Sequence, residues 1–351
     1  MVGFCGFRKF GFCRRRCAGY VEQAIGNDAL SWTTIAAGLL IIVLAAVMAV
    51  GLYFAWSTRR LVAAAEKLVP PGGKLVDVDG ARVHFVEAGE GQPVVMIHGL
   101  GGSLHHMRRP LMEEFGEGYR LLAMDRPGSG YSTRPNGGTT VEEQAQFIRR
   151  FIEELGLGRV LLVGHSLGGA IALRTALDHP DHVAGLALIA PLTHHLDDIP
   201  PEFAPLAIRS PALRWLVSRT VAAPLSVRNA DRVLSFVFGP QKPPEDFAVA
   251  GGAMVGLRPT HFIATSEDLL AVHDDKVDIV PRYREINVPV GIIYGDADRV
   301  LDCEVHGRGM VGKIQNLEIE IIEGVGHMVQ FVETPRTIAL IRRIAARAFA
   351  T

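Results

Sequence analysis

Residues 160–170 read VLLVGHSLGGA. An apolar run suited to a buried strand leads into Gly164-His165-Ser166-Leu167-Gly168, and Gly169-Ala170 open a helical pattern. A serine hydroxyl is a weak nucleophile at neutral pH. It needs a base within hydrogen-bond reach and a third group that orients the base. A sharp strand-to-helix turn exposes such a serine, and glycines two residues before and after it keep side chains out of the crowded turn. The same turn sets a helix N-terminus where negative charge would develop. Gly-x-Ser-x-Gly alone is weak, but here it follows a predicted strand and opens a predicted helix.

The rest of the chain supplies partners for Ser166. His327, in EGVGHMVQFVETP (323–335), follows the last strand-like run on a glycine-flanked loop. That position separates it from the other histidines and makes it the candidate base. Asp298, in IIYGDADRVLD (292–302), lies on the loop leaving the preceding apolar run and is the candidate acid. Asp296 and Asp302 are its rivals. The order Ser166, Asp298, His327 is the one expected of a strand-to-helix elbow architecture. Oxyanion donors are expected from the backbone N–H groups of Leu167 and Leu100, the latter in His98-Gly99-Leu100-Gly101-Gly102-Ser103. His98 reads as a loop-shaping residue and His165 as a packing or hydrogen-bonding one. The pairs His105/His106 and His194/His195 resemble metal ligands only by eye, because adjacent residues on a helix or strand point apart. No metal and no cofactor is expected.

Short apolar runs closed by turn residues recur at 93–99, 119–128, 159–166, 182–191, 288–296 and 317–327. Continuous apolar runs suit strands buried on both faces. Helical patterns at Thr140–Leu155, Ser166–Leu177 and Pro335–Ala348 alternate with them. KLVDVDGARVHFVEAG, 74–89, alternates around Asp79-Gly80 as a hairpin does. The expected fold is α/β: a mostly parallel, doubly wound sheet with an antiparallel hairpin at its start. One connection, 191–287, is too long for a loop and reads as a mostly helical cap.

At these residues the sequence resembles the α/β-hydrolase superfamily. HGLGGS (98–103) is similar to its oxyanion loop, DRPGSGYS (125–132) to its turn after the fourth strand, and GHSLGG (164–169) to its elbow. YGDADRV (294–300) resembles its acid loop and GHMVQFVETP (326–335) its histidine loop. The resemblance covers about Lys74 to the C-terminus and implies that 191–287 is a lid shaping the acyl pocket. Serine rather than aspartate at 166 argues against the haloalkane-dehalogenase and epoxide-hydrolase branches.

Outside that region, residues 29–58 carry no charge, and Ile35–Phe54 are apolar or small throughout. A bilayer core of ~30 Å needs roughly 20 such residues in a helix. Trp32, Tyr53 and Trp56 sit near its ends, as interfacial aromatics do. A signal peptide would have a shorter apolar region and a small-residue cleavage site. The expected organisation is a tail (1–30), a transmembrane anchor (31–56), a stalk (57–73) and a hydrolase domain (74–351). The basic tail residues Arg8, Lys9 and Arg14–Arg16 lean toward a cytoplasmic N-terminus with the catalytic body on the far side. With 36 Lys and Arg against 37 Asp and Glu, nothing marks a nucleic-acid surface. Cys5, Cys13 and Cys17 lie in the tail and Cys303 alone in the body, so no disulfide scaffold or zinc site is expected.

The leading expectation is a membrane-anchored serine hydrolase of hydrophobic or lipid-like esters such as monoacylglycerol. The alternatives keep the triad for C–C bond hydrolysis, acyl transfer or cofactor-free haloperoxidase chemistry. A non-catalytic binding protein on the same fold would be expected to lack a triad member.

Overall fold

The computed structural model describes residues 13–350 apart from 136 and 276–278, with side chains from Ser31 onward. The tail residues Cys5, Arg8 and Lys9, and the side chains of Cys13, Arg14–Arg16 and Cys17, lie outside the described residues.

The chain divides into two compact units, Met1–Phe54 and Ala55–Thr351. A single helix, α1 (Cys13–Leu68), runs through the boundary. Its part from Ser31 onward is long and apolar enough to cross a membrane, with a mean hydropathy of 2.9 over its most apolar window. The helix stops at Leu68, just before Val69-Pro70-Pro71-Gly72-Gly73. Proline lacks the N–H that a helix requires and pushes the preceding residue out of the helical region.

The second unit is built on an eight-stranded sheet in the order β1-β2-β4-β3-β5-β6-β7-β8. The strands are β1 (Lys74–Val78), β2 (Ala81–Ala88), β3 (Gln92–Ile97), β4 (Tyr119–Met124), β5 (Val160–His165), β6 (Val183–Ile189), β7 (Val290–Gly295) and β8 (Leu317–Ile322). β1 and β2 form the expected hairpin, and β2 pairs antiparallel with β4. Asp79 and Gly80 both have positive φ (54° and 81°), as a tight two-residue hairpin turn requires. From β4 to β8 every pairing is parallel. Each residue of β5, β6 and β7 is buried, which explains their unbroken apolar sequences.

Helices cover the sheet. α2 (Val141–Glu154) opens on a capping box: the Thr140 hydroxyl accepts from Glu143 N, and the Glu143 carboxylate accepts from Thr140 N at 3.0 Å. Such a cap contributes about 1 kcal/mol. α2 buries Ala145, Ile148, Phe151 and Ile152 on one face. α3 (Leu167–Asp178) follows β5 directly, and its first ten residues except Arg174 are buried.

The long connection after β6 is helical, as its length demanded. It holds α4 (Pro211–Arg219), α5 (Ala222–Arg228), α6 (Ala230–Phe238) and α7 (Pro259–Asp274), with short 3-10 turns between them and no strand among its described residues. The last helix, α8 (Thr334–Ala348), packs Ile338, Leu340, Ile341 and Ile344 into the core.

Candidate active site

The parallel strands β3, β5, β7 and β8 end at one edge of the sheet, and the segments leaving them carry Leu100, Ser166, Leu167, Asp298 and His327. In open α/β sheets this carboxyl edge is where ligands bind.

Ser166 sits between β5 and α3 with φ 54° and ψ −118°, a conformation rarely adopted by a residue with a side chain. The surrounding glycines are dictated by contact. A Cβ on Gly164 would lie 2.4 Å from the Gly168 carbonyl oxygen, and one on Gly168 would lie 2.2 Å from the Ile97 oxygen. One on Gly169 would meet Pro191 at 2.5 Å. The turn is anchored by Ser166 N donating to Ile189 O and by Leu192 N donating to Ser166 O, both at 3.0 Å. Leu167 is the first residue of α3, so its N–H has no partner one turn back in the helix.

His327 and Asp298 meet. The His327 Nδ1–H donates to Asp298 Oδ2 at 2.7 Å, with both side chains buried. The other carboxylate oxygen, Oδ1, accepts from Val300 N at 2.8 Å and Leu301 N at 3.0 Å. The rival acids have other work. Asp296 accepts from Gly324 N at 2.6 Å and holds a turn, while Asp302 caps the short helix Cys303–His306. The acid and histidine loops are pressed together, since a Cβ on Gly295 would lie 2.1 Å from Val325 O.

His165 connects the elbow to the histidine loop. Its ring lies 4.8 Å from that of His327, centroid to centroid, and its Nε2–H donates to His327 O at 3.2 Å. Burial, with the nearby His327 adding to it, holds His165 well below the ordinary histidine range, so its ring is neutral.

The loop after β3 faces Ser166. A Cβ on Gly99 would sit 2.9 Å from the Ser166 Cβ. His98 shapes this loop, as its position implied: Nδ1–H donates to Gly99 O at 2.8 Å, and Nε2 accepts from Arg126 N at 3.0 Å. Burial, and then the Arg126 charge, keep it neutral. Leu100 is half-buried next to it and packs against the main core.

Sequence reasoning missed what braces these loops. Arg126, fully buried, donates from Nε to His98 O and from Nη2 to Gly99 O, each at 3.0 Å. Its Nη1 donates to Asp268 Oδ2 at 2.7 Å and to Gln144 Oε1 at 2.6 Å. Asp268 comes from α7, so the inserted segment is tied through its buried ion pair with Arg126, on the loop after β4, to the loop facing Ser166. His261, also on α7, adds a second tie: Nε2–H donates to Gly101 O at 3.1 Å, and Nδ1 accepts from Gly130 N at 3.0 Å. Gln241, beyond α6, holds the histidine loop by accepting from Gly326 N at 3.0 Å and donating to Gly324 O at 2.6 Å. No sequence signal marked Asp268, because the buried residues of α7 also include His261, Thr265 and Ser266.

Beside the histidine loop lies an apolar cluster of Phe238, Phe247 and Met328, with Phe331 and the His106 ring against it. Burial pushes His106 down to about 3, so it joins this cluster as a neutral ring. The His194 and His306 rings meet edge to face with centroids 5.8 Å apart, and His306 Nδ1 accepts from Thr193 N. Among the described residues no group of three or more His, Cys, Asp or Glu is arranged to hold a metal ion.

Comparison with known proteins agrees with this architecture. Over 276 residues the chain is 29% identical to a 2-hydroxy-6-oxononadienedioate/2-hydroxy-6-oxononatrienedioate hydrolase of Klebsiella pneumoniae, covering 76% of this chain and 92% of that one. Over 120 residues it is 38% identical to a dihydrolipoyllysine-residue acetyltransferase component of an acetoin cleaving system from Cupriavidus necator. That match spans 34% of this chain and only 32% of the relative. Among solved structures, a membrane phospholipase A described as a bacterial virulence factor superposes with a TM-score of 0.64 at 26% identity, over 89% of this chain and 98% of that one. The alpha/beta hydrolase fold family matches residues 92–334, which include the elbow, the acid loop and the histidine loop, and the chain belongs to that family.

Proposed function

We propose that this protein is a membrane-anchored serine hydrolase of carboxylic esters, acting on hydrophobic or lipid-like substrates through an acyl-enzyme. The buried 2.7 Å hydrogen bond between His327 and Asp298, on loops at the same sheet edge as the strained Ser166, carries this reading. A buried carboxylate on Nδ1 leaves Nε2 as the basic nitrogen and stabilises the imidazolium that forms when it takes a proton.

The reaction follows from these roles. His327 removes the Ser166 proton as Oγ attacks the ester carbonyl carbon. The backbone N–H groups of Leu100 and Leu167 hold the resulting oxyanion, and the dipole of α3 favours its charge. Collapse breaks the ester C–O bond, and His327 returns the proton to the departing alcohol. Water then attacks the acyl-enzyme by the same route and releases the acid. No metal or cofactor enters this scheme.

Residues 31–56 act as the anchor and 57–73 as the connection to the hydrolase domain at 74–351, with 191–287 as its cap. The apolar helix and the similarity to a membrane phospholipase support this placement. The Phe238–Phe247–Met328 cluster favours an apolar acyl chain. The basic tail favours a cytoplasmic N-terminus with the catalytic domain on the far side of the membrane.

One observation favours a second reading. The Klebsiella relative is a hydrolase of a ketonic dienedioate, a compound without an ester. In that reading His327 takes the Ser166 proton as Oγ adds to the ketone carbon, the C–C bond breaks with its electron pair leaving on the departing carbon, which His327 protonates, and water hydrolyses the acyl-enzyme.

The test is hydrolysis of p-nitrophenyl esters from acetate to palmitate by detergent-solubilised protein beside Ser166→Ala. Activity that Ser166→Ala abolishes supports the ester reading, and its chain-length optimum measures the acyl pocket. No activity at any chain length, with Ser166 still labelled by a fluorophosphonate, rejects ester hydrolysis and favours the C–C reading.

A further inference from the structure

The stretch 203–230 contains four arginines (209, 214, 219, 228) and no acidic residue. Arg209 is exposed but paired with Asp274 and Arg214 is buried against Glu267, which leaves the half-buried Arg219 and the exposed Arg228. On the same two helices, α4 and α5, large apolar side chains are exposed: Leu213, Trp215, Leu216, Leu225 and Val227, each 46–55% accessible. Among the described residues of the inserted segment, the other exposed large apolar side chain is Val249. The Arg219 guanidinium lies over the Trp215 ring at 4.4 Å. An aromatic ring, aliphatic side chains and arginines without acids are the composition of a helix that lies in a membrane interface, its apolar face among acyl chains and its cations at lipid phosphates.

The connection to the apolar helix gives this patch its location. Thr58, only four residues after Phe54, donates its hydroxyl to the Thr220 carbonyl at the end of α4. Ala65 and Leu61 pack against Ala223 of α5 and Leu257, and Glu66 pairs with Arg258 at 2.8 Å. The expected stalk is therefore not a free tether over its helical part: it is docked on α4 and α5 and belongs to the folded unit. The segment fixed to α4 and α5 thus follows directly in the chain on the anchor proposed above.

We propose that the exposed face of α4 and α5 is a bilayer-docking surface, seated in the interface of the membrane that holds the anchor and drawn to anionic lipid. The inference rests on the anchor reading and not on the ester chemistry. It deepens the substrate class, because a cap bedded in lipid takes esters that reside in the bilayer in preference to dissolved ones.

Tryptophan quenching tests it with the patch intact in the protein that reports on it. The chain has three tryptophans, Trp32, Trp56 and Trp215. Full-length protein carrying Trp32→Phe and Trp56→Phe reports from Trp215 alone, and protein carrying Trp56→Phe and Trp215→Phe reports from Trp32 beside the anchor. Both are reconstituted in phosphatidylcholine–phosphatidylglycerol vesicles with or without phosphatidylcholine brominated on the upper acyl chain. Burial to the ~5–10 Å of an interfacial helix predicts roughly twofold or greater quenching of Trp215 by brominated lipid. Quenching of Trp32 but not Trp215 overturns the docking surface and leaves the anchor standing. Quenching of neither overturns both. Trp215 emission that ignores brominated lipid but shifts with the protein-to-lipid ratio assigns the patch to a second copy of the chain, which also overturns the proposal.

Discussion

Replacing Asp268 by leucine tests the bracing of the oxyanion loop most directly. The carboxylate is fully buried and accepts from Arg126, which is 1% exposed, at 2.7 Å, and from Arg134 on its other oxygen. Without it, the Arg126 guanidinium stays buried without a countercharge. Breaking one half of such a pair costs about 3–5 kcal/mol. At roughly 2–4 °C per kcal/mol for domains of 150–250 residues, the melting temperature should fall by about 6–20 °C. The lower end applies here, because the entropy of unfolding grows with chain length. Differential scanning calorimetry on Asp268→Leu, Asp268→Asn and the double variant Arg126→Met/Asp268→Leu reads the effect. The double variant should recover part of the loss, since a buried ion pair can often be exchanged for apolar residues of similar volume at little cost. It should not recover turnover, because His98 O and Gly99 O lose their shared donor and the loop facing Ser166 is no longer held. A shift below about 2 °C for Asp268→Leu would refute the assignment of this pair as the brace, since even the weakest buried pair predicts more.

Three further outcomes follow from the same geometry. Asp298→Asn should lower kcat on p-nitrophenyl butyrate about 10⁴-fold with KM little changed, by presenting His327 with the wrong partner for its Nδ1–H; wild-type turnover would move the role to Asp296 or Asp302. Gly168→Ala places a Cβ 2.2 Å from Ile97 O and 2.8 Å from His98 O, so urea unfolding should show a loss of about 1–3 kcal/mol or more, and an unchanged midpoint would contradict the packing described for the elbow. Acid should destabilise the fold: burial pushes His106 to about 3 and His306 to about 4, so the unfolded chain takes up protons below about pH 6.5 that the folded one refuses, and these two residues remove about 2–3 kcal/mol between pH 7.5 and 5.5. His98 and His165, also depressed by burial, act in the same direction. His84 opposes them, because burial is outweighed there by the hydrogen bond and charge of Asp125 and by the Gly72 carbonyl. Its raised value gives a contribution present below about pH 6.5 and lost as the pH climbs through that value. A melting temperature higher at pH 5.5 than at 7.5 would contradict the balance.

The elements were legible where the chain's own periodicity carried them. The hairpin at Asp79-Gly80, the apolar-rich runs that became β3 to β8, and the capped helix from Thr140 all lie where local pattern set them. The long segment after β6 was legible only as helical, since Pro-rich apolar sequence does not say which face packs and which is bare. The 57–73 stretch read as a stalk because its partners, Thr220, Ala223 and Leu257, are more than 150 residues away in the chain.

Sequence by itself determined the loop order of Ser166, Asp298 and His327 and the need for glycine at 164 and 168, because a turn's sterics and a strand's burial are local properties written within a few residues. The sequence favoured Asp298 over Asp296 and Asp302, but that its carboxylate reaches the His327 ring depends on the tertiary packing of its loop against Val325. The same holds for Arg126, Asp268, His261 and Gln241. Each is an ordinary polar residue in sequence, and its effect exists only where folding buries it against a partner too distant along the chain for any pattern to encode.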